Sequence, residues 1–154
     1  MRAALLYAIA VAAERRLPLV VNLSFGVGNQ REGTADIDRV IDSILAAHPD
    51  VVMTVAASND GPGLSTLGFP ASASRVLAIG ATMPLVFDGL PPKHDRRDPV
   101  AFFSSRGGER AGPDLVAPGV AWSSVPRFDY GAEEKNGTSM AAPHVAGVIA
   151  LMMA

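Results

Sequence analysis

The fold is decided by residues 19–57, which read LVVNLSFGVGNQREGTADIDRVIDSILAAHPDVVMTVAA. Residues 19–25 and 51–57 are short, nearly continuous apolar runs, typical of strands buried on both faces of a parallel sheet. Between them, the apolar side chains of residues 37–45 recur at the spacing of a one-sided helix. Thr34 is the predicted N-cap of that helix. A strand, a helix and a second strand in this order predict a βαβ unit with a parallel sheet.

The flanking sequence extends this unit in both directions. Residues 1–16 predict a buried helix, because the basic pair at its end suits a helix C-terminus and no linker separates it from the first strand. An early positive charge followed by an apolar stretch also fits a secretory signal peptide, and that alternative stays open. On the C-terminal side we predict a third strand at residues 75–81 and a short strand with a turn at residues 114–120. Another strand at residues 121–125 and a last helix from Ser139 onward follow.

These elements predict an α/β fold of three layers, helices on both faces of a mostly parallel sheet. In such sheets ligands bind beside the loops that leave the carboxyl ends of the strands. The loops after Phe25 and after Ala57 are therefore the first candidates for a site. The Pro-rich and charged residues 90–99 predict a solvated surface loop.

Composition excludes several classes of protein. The chain has 154 residues, of which 49% are hydrophobic and 18% charged, so it can bury a core and is not a disordered tail. Its formal charge of -2 argues against a binder of nucleic acid or of anionic membranes. The absence of cysteine excludes a disulfide framework, a cysteine-ligated zinc site and a thiol nucleophile.

Residues 136–147, which read NGTSMAAPHVAG, are the most informative for chemistry. Gly137 permits a sharp backbone turn, and Ser139 then lies at a helix N-terminus, where the dipole favours developing negative charge. Pro143 has no N–H, so a carbonyl near Ser139 lacks its helical partner. Taken alone, these residues also fit an ordinary capping serine.

The whole stretch resembles the nucleophile motif of the subtilisin-like serine peptidases. Three further blocks agree in the order of that family. Residues 22–26 (NLSFG) are similar to the strand edge that pairs with substrate, and residues 55–61 (VAASNDG) to the oxyanion-hole block. Residues 114–120 (DLVAPGV) are similar to a structural block upstream of the serine. The resemblance covers essentially the whole chain and implies a subtilisin-like fold, here incomplete.

The resemblance also implies a role for each matching residue. Ser139 would attack the peptide carbonyl, and the side-chain amide of Asn59 would stabilise the oxyanion together with the Ser139 N–H. Ser58 stands where the family usually has glycine, which narrows the pocket or changes the local backbone angle. The pocket segments carry no charge, so we expect a neutral, apolar preference at the cut. The substrate-binding residues implied in this way are Ser24, Phe25, Gly26, Ala56, Ala57, Ser58 and Gly68.

Two parts of the family's catalytic triad have no counterpart. The family's triad runs Asp, His, Ser along the chain, and neither its Asp block nor its block resembling His-Gly-Thr-His-Val-Ala-Gly occurs here. His48 lies at a helix stop, His94 lies in the charged loop, and His144 follows Ser139 by a spacing that puts the two side chains on different helix faces. We therefore expect residues 1–154 to be the C-terminal part of a catalytic domain, inactive alone and completed by its missing N-terminal part.

The resemblance implies an extended polypeptide substrate, and we expect no nucleic-acid or membrane partner. We expect no catalytic metal and no cofactor; structural calcium remains possible in the full-length domain, although no clustered carboxylate loop is evident here. Secretion is expected for the full-length parent, because relatives are mostly secreted.

Two alternatives remain. A nucleotide-binding domain is disfavoured because residues 26–28 (GVG) follow a strand but no third glycine has the required spacing. A non-catalytic remnant that binds peptides in the same cleft is the stronger alternative.

Overall fold

The computed structural model describes residues 1–28, 31–85, 98–110, 112–124 and 132–154. Within these ranges the chain forms helices and strands in an order that alternates through the first half. In chain order they are α1 (Arg2–Arg15), β1 (Leu19–Leu23), α2 (Asp36–Ala47), β2 (Val51–Ala56), β3 (Leu77–Thr82), β4 (Leu115–Pro118), β5 (Val120–Ser124), β6 (Ala132–Asn136) and α3 (Thr138–Met153).

The main sheet is parallel and runs in the order β1-β2-β3-β4. Leu23 at the end of β1 lies opposite Val55 near the end of β2. The loops that leave these two strands therefore start side by side at one edge of the sheet. Strands β5 and β6 form a separate antiparallel hairpin, which leads directly into α3.

Two apolar clusters cover the two faces of the sheet. On one face, side chains of α1 and α2, including Leu5 and Ile41, pack with Val55 of β2. On the other face, Ala141 and Ala142 of α3 pack against small side chains of the sheet, with no exposed surface of their own. These alanines let the helix backbone lie close to the strands. The predicted three-layer α/β architecture is confirmed.

Most predicted elements are present with small shifts at their ends. The first residues form a helix, as predicted, but the prediction that this helix is buried is wrong for most of it, since only Leu5 and Ile9 of α1 are buried in the core. The predicted cap at Thr34 is wrong: the N-cap position of α2 is Ala35, which has no hydroxyl. The Thr34 hydroxyl instead donates to the Arg31 carbonyl 3.5 Å away.

Strand β6 was missed, and some predictions fall where the structure gives no description. The β6 residues alternate too little in polarity to resemble a strand. Of the predicted surface loop, only residues 98–99 are described, and residue 125 of the predicted last strand is also outside the described ranges. Among the helices of the described residues, none is long and apolar enough to cross a lipid bilayer.

Candidate active site

A cavity of about 340 Å³ opens at the carboxyl ends of β1 and β2, beside the N-terminus of α3. This is the position at which parallel α/β sheets bind ligands, because the loops that leave neighbouring strands diverge there. The residues that line it are Ser24, Phe25, Gly26, Val27, Gly28, Ala56, Ser58, Asn59, Asp60, Thr138 and Ser139.

The turn into α3 fixes the backbone around Ser139. Gly137 has a φ of 142°, a conformation that residues with a side chain rarely adopt. The side-chain oxygen of Asn59 accepts hydrogen bonds from the Thr138 backbone N–H at 2.9 Å and from the Thr138 hydroxyl at 3.0 Å. Asn59 therefore caps the helix from a distant loop, and Ser139 follows as the second residue of α3.

The nitrogen atoms of the two predicted oxyanion donors lie close to one small space. Because its oxygen accepts from Thr138, the Asn59 side chain has its Nδ2 amide hydrogens left to donate. A β-carbon built on Gly137 would lie 3.2 Å from Asn59 Nδ2 and 3.7 Å from the Ser139 backbone nitrogen. An oxygen in this space can therefore accept from both groups, which is the arrangement that stabilises a tetrahedral oxyanion. The absence of a side chain at Gly137 keeps the space open.

A chain of hydrogen bonds ties the Ser139 backbone to the sheet. Pro143 cannot donate to the Ser139 carbonyl four residues earlier, and the Ser24 hydroxyl donates to it instead, at 2.8 Å. Asn22 Nδ2 donates to Ser24 Oγ at 3.0 Å, and the Thr54 hydroxyl donates to Asn22 Oδ1 at 3.2 Å. Sequence reasoning gave Ser24 only a backbone role with substrate. The position of Pro143 was the signal for this second role.

The loop that carries Asn59 is held by a segment that sequence reasoning did not single out. The Ser105 N–H donates to the Ser58 carbonyl at 3.1 Å, and the Asp60 N–H donates to Ser105 Oγ at 3.0 Å. The Gly61 N–H donates to the Phe103 carbonyl at 2.9 Å. Ser105 is fully buried, so these bonds anchor the loop that carries Asn59 to a residue of the protein interior.

The structure brings most of the predicted site residues together, but not all of them into the cavity wall. Ala57 is fully buried, and neither it nor Gly68 is among the lining residues. Four lining residues were not predicted: Val27, Gly28, Thr138 and Asp60, of which Asp60 is exposed and carries a carboxylate at the cavity.

The described histidines do not serve Ser139. His144 is exposed, and its Nδ1 lies 2.7 Å from the Met140 carbonyl oxygen. It borders a second cavity, of about 480 Å³, that Ser139 also borders, yet no hydrogen bond joins the two side chains. His48 is the C-cap residue of α2 and lies near the amino end of β2, whereas the cleft lies at the carboxyl end of that strand. His94 lies outside the described residues.

Among the residues that the structure describes, a single titratable group has a clearly shifted pKa, and it lies away from the cleft. Burial raises the pKa of the Asp38 carboxyl on α2, although a hydrogen bond from the Ser72 hydroxyl, 2.8 Å away, acts in the opposite direction. In the part of the chain that the structure describes, no three acidic, histidine or cysteine side chains converge as a metal site would require.

Comparison with known proteins places this architecture. The sequence model of the Subtilase family matches residues 4–154. This chain belongs to the subtilase family. The family comprises serine peptidases, and the match covers nearly the whole chain.

The curated relatives of this subtilase chain are much longer than the chain itself. Pyrolysin from Pyrococcus furiosus is 34% identical over 155 residues, covering 87% of this chain and 11% of pyrolysin. Alkaline elastase YaB from a Bacillus species is 37% identical, covering 86% of this chain and 29% of the elastase. Subtilisin from Bacillus pumilus is 36% identical, covering 87% of this chain and 42% of the subtilisin. The chain thus spans less than half the length of each.

Solved structures show the same partial correspondence. A psychrophilic protease superposes with a TM-score of 0.74 at 28% identity, covering 98% of this subtilase chain and 48% of that protein. The CspB protease of Clostridium perfringens superposes with a TM-score of 0.80 over 59% of its length. At 18% identity, the second comparison shows the fold alone.

Proposed function

We propose that this chain supplies the nucleophile, the oxyanion hole and the substrate cleft of a serine endopeptidase. The observation that carries the proposal is the convergence of Asn59 Nδ2 and the Ser139 N–H on one space beside Gly137. A helix-capping serine needs no such second donor, whereas acyl transfer does. Membership of the subtilase family supports the same reaction class.

In this proposal the substrate binds as an extended strand beside residues 24–26, with the scissile carbonyl above Ser139. The Ser139 hydroxyl oxygen forms a bond to the carbonyl carbon as its proton passes to a general base, and the carbonyl oxygen becomes an oxyanion held by Asn59. Collapse of this intermediate breaks the C–N bond. The amine leaves with the proton, and an ester on Ser139 remains for water to hydrolyse.

The general base and the carboxylate that orients it belong, in this proposal, to the N-terminal part of the domain. No side chain of the described ranges forms a hydrogen bond with the Ser139 hydroxyl. Within those ranges β1 is an edge strand, and α3 exposes large apolar side chains at Val148, Leu151 and Met152. Further strands and helices of the same domain would cover these surfaces.

The isolated 154 residues are therefore expected to be a poor peptidase. An oxyanion hole and a cleft without a triad retain roughly 10³–10⁴-fold catalysis over water. Because triad members act as a unit, Ser139→Ala should change this residual rate only slightly. A fluorogenic tetrapeptide assay on both forms measures the difference, and a large loss in Ser139→Ala would show that the chain already activates its serine.

The first test is the coding DNA upstream of Met1, read in frame. An open frame that encodes an Asp block and a block resembling His-Gly-Thr-His supports the proposal. A stop codon close upstream would refute the assignment of hydrolysis, since the short chain would then be the whole product.

If the frame is open, the full-length protein provides the second test. Ser139→Ala should lower kcat by on the order of 10⁶, the magnitude found for the nucleophile of a related subtilisin, and leave peptide affinity within about threefold. A matched control is Ser43→Ala on the exposed face of α2, which should leave both unchanged.

The second candidate function is a peptide-binding remnant without catalysis. The unpartnered Ser139 hydroxyl in the described part of the chain, beside a fully formed cleft, is the observation that favours it. In that case the full product binds extended peptides with no turnover, and Ser139→Ala changes neither property.

A further inference from the structure

The side chain of Ser58 is wedged between two glycines at the end of the cleft. A β-carbon built on Gly26 would overlap Ser58 Oγ and lie 3.6 Å from the Ser58 β-carbon. A β-carbon built on Gly68 would also overlap Ser58 Oγ and lie 3.0 Å from the Ser58 β-carbon. The hydroxyl therefore fills the gap between the backbone that follows β1 and the backbone around Gly68. Both glycines leave the room that this one side chain takes.

No residue in the described ranges forms a hydrogen bond with this hydroxyl. Ser58 is 7% exposed, and in the described part of the chain its Oγ is buried without a hydrogen-bond partner. Its φ is 86°, which glycine adopts freely and serine does not. An unpaired buried hydroxyl and a strained backbone both lower stability, so the residue is not explained by folding. Its consequence lies in the shape of the cavity.

Ser58 lines the cavity, next to Asn59 in the chain. Gly68 does not line the cavity. Its N–H donates a hydrogen bond to the carbonyl of Ala57, the residue before Ser58, at 3.1 Å. Val27 and Phe69 close this wall by exchanging two backbone hydrogen bonds of 3.2 Å and 3.1 Å. A side chain entering between residues 24–28 and Ala56 therefore meets the Ser58 side chain before it can reach Gly68.

We infer that Ser58 is a specificity-determining residue that restricts the cleft to short side chains, those of glycine, alanine and serine, immediately before the scissile bond. The inference rests on the proposed function, because it takes the cavity beside Ser139 as the pocket for that side chain. It narrows the substrate class from apolar residues in general to small ones. Replacing Ser58 by glycine joins the cavity to the space in front of Gly68.

Peptide binding to the Ser139→Ala form tests this without turnover. Isothermal titration calorimetry is run with acetyl-Ala-Ala-Pro-Xaa-amide peptides in which Xaa is alanine, leucine or phenylalanine. The alanine peptide should bind at least about tenfold more tightly than the phenylalanine peptide, since even one methylene in a fitted pocket is worth roughly 10–200-fold. Adding Ser58→Gly should raise affinity for phenylalanine at least about tenfold and for alanine less than about threefold.

Ser65→Gly is the matched control. Ser65 also has a positive φ, 57°, but does not line the cavity, so its replacement gives the same backbone freedom and should leave the preference unchanged. Thermal unfolding checks that each variant folds. If Ser58→Gly does not fold, Ser58→Ala removes the hydroxyl alone and should shift the preference in the same direction.

The outcomes distinguish a failure of the role of Ser58 from a failure of the proposed function. In one outcome all three peptides bind, with a preference that neither Ser58→Gly nor Ser58→Ala changes. That result would overturn the role of Ser58 and leave the proposed function standing. Binding of none of them overturns the proposed cleft, and the inference with it. A shift produced equally by Ser65→Gly also overturns the inference.

Discussion

Removing the Ser24 hydroxyl should destabilise the start of α3, and the size of the stability loss should depend on Pro143. The hydroxyl donates to the Ser139 carbonyl at 2.8 Å because Pro143 has no N–H to offer. Ser24→Ala removes the donor that this carbonyl has in place of a helical N–H, and it leaves Asn22 Nδ2 without its acceptor. A net loss of about 1 kcal/mol follows, within the usual 0.5–1.5 kcal/mol of a single hydrogen bond.

Pro143→Ala supplies the missing donor, so the two substitutions should not be additive. With alanine at 143, the backbone N–H bonds to the Ser139 carbonyl in the ordinary helical pattern. Ser24→Ala should then cost about 0.5 kcal/mol or less, which gives a coupling energy near 0.5–1 kcal/mol between the two sites. The stability change caused by Pro143→Ala itself cancels in the cycle.

The assay is urea unfolding of the four forms, followed by far-ultraviolet circular dichroism. The slope against urea must be the same in all four, so that midpoints report stability alone. Hydrogen exchange at Met140 and Ala141 gives an independent reading of the first turn of α3. Equal costs of Ser24→Ala in both backgrounds, within about 0.3 kcal/mol, would refute the reasoning.

Three further predictions concern the oxyanion space and the buried carboxyl. Asn59→Asp keeps an oxygen for Thr138 but removes the amide donor, so the fold should persist. The kcat of the full-length peptidase should drop by about 10²–10³, as for the corresponding donor of a related subtilisin. Asn59→Ala should lose both the hydrogen bonds to Thr138 and the amide donor. Gly137→Ala places a carbon 3.2 Å from Asn59 Nδ2 at a φ of 142°, so it should cost about 1–3 kcal/mol in urea unfolding and abolish turnover. Because burial raises the pKa of Asp38 above 3.8, the native state binds this proton more tightly than the unfolded chain, and the free energy of unfolding should fall as pH rises from 3.8 through the native pKa. Asp38→Asn should remove that part of the pH profile; an unchanged profile would contradict it.

The sequence was sufficient for the features that depend on local pattern. Apolar runs located the parallel strands, because a strand buried on both faces has few polar positions. The resemblance of the blocks around Ser139 and Asn59 to subtilase motifs indicated the two residues whose nitrogen atoms lie close to one space beside Gly137. Strand β6 was invisible, since Glu133, Glu134 and Lys135 have no apolar alternation and are paired only through their backbone with β5.

Contacts between distant segments could not be predicted in the same way. Ser24 and Ser139 are 115 positions apart, and nothing local to Ser24 indicates that its hydroxyl meets a helix carbonyl. The clamp of Ser105 on the Asn59 loop is similar, because it depends on how one loop lies over another. Local pattern defines which elements form, whereas such partner choices follow from the packing of the whole domain.

If the chain supplies the cleft of a peptidase as proposed, Gly137 and Ser58 should let the reaction and its selectivity vary separately. Both positions have a positive φ, and they lie beside the same pair, Asn59 and Ser139. At Gly137 an added carbon would enter the space where the two donors meet, so any side chain there removes the chemistry. At Ser58 the added atoms point away from that space and into the gap between Gly26 and Gly68. A side chain at 58 therefore costs conformational strain but leaves the oxyanion donors untouched, and only the choice of peptide changes.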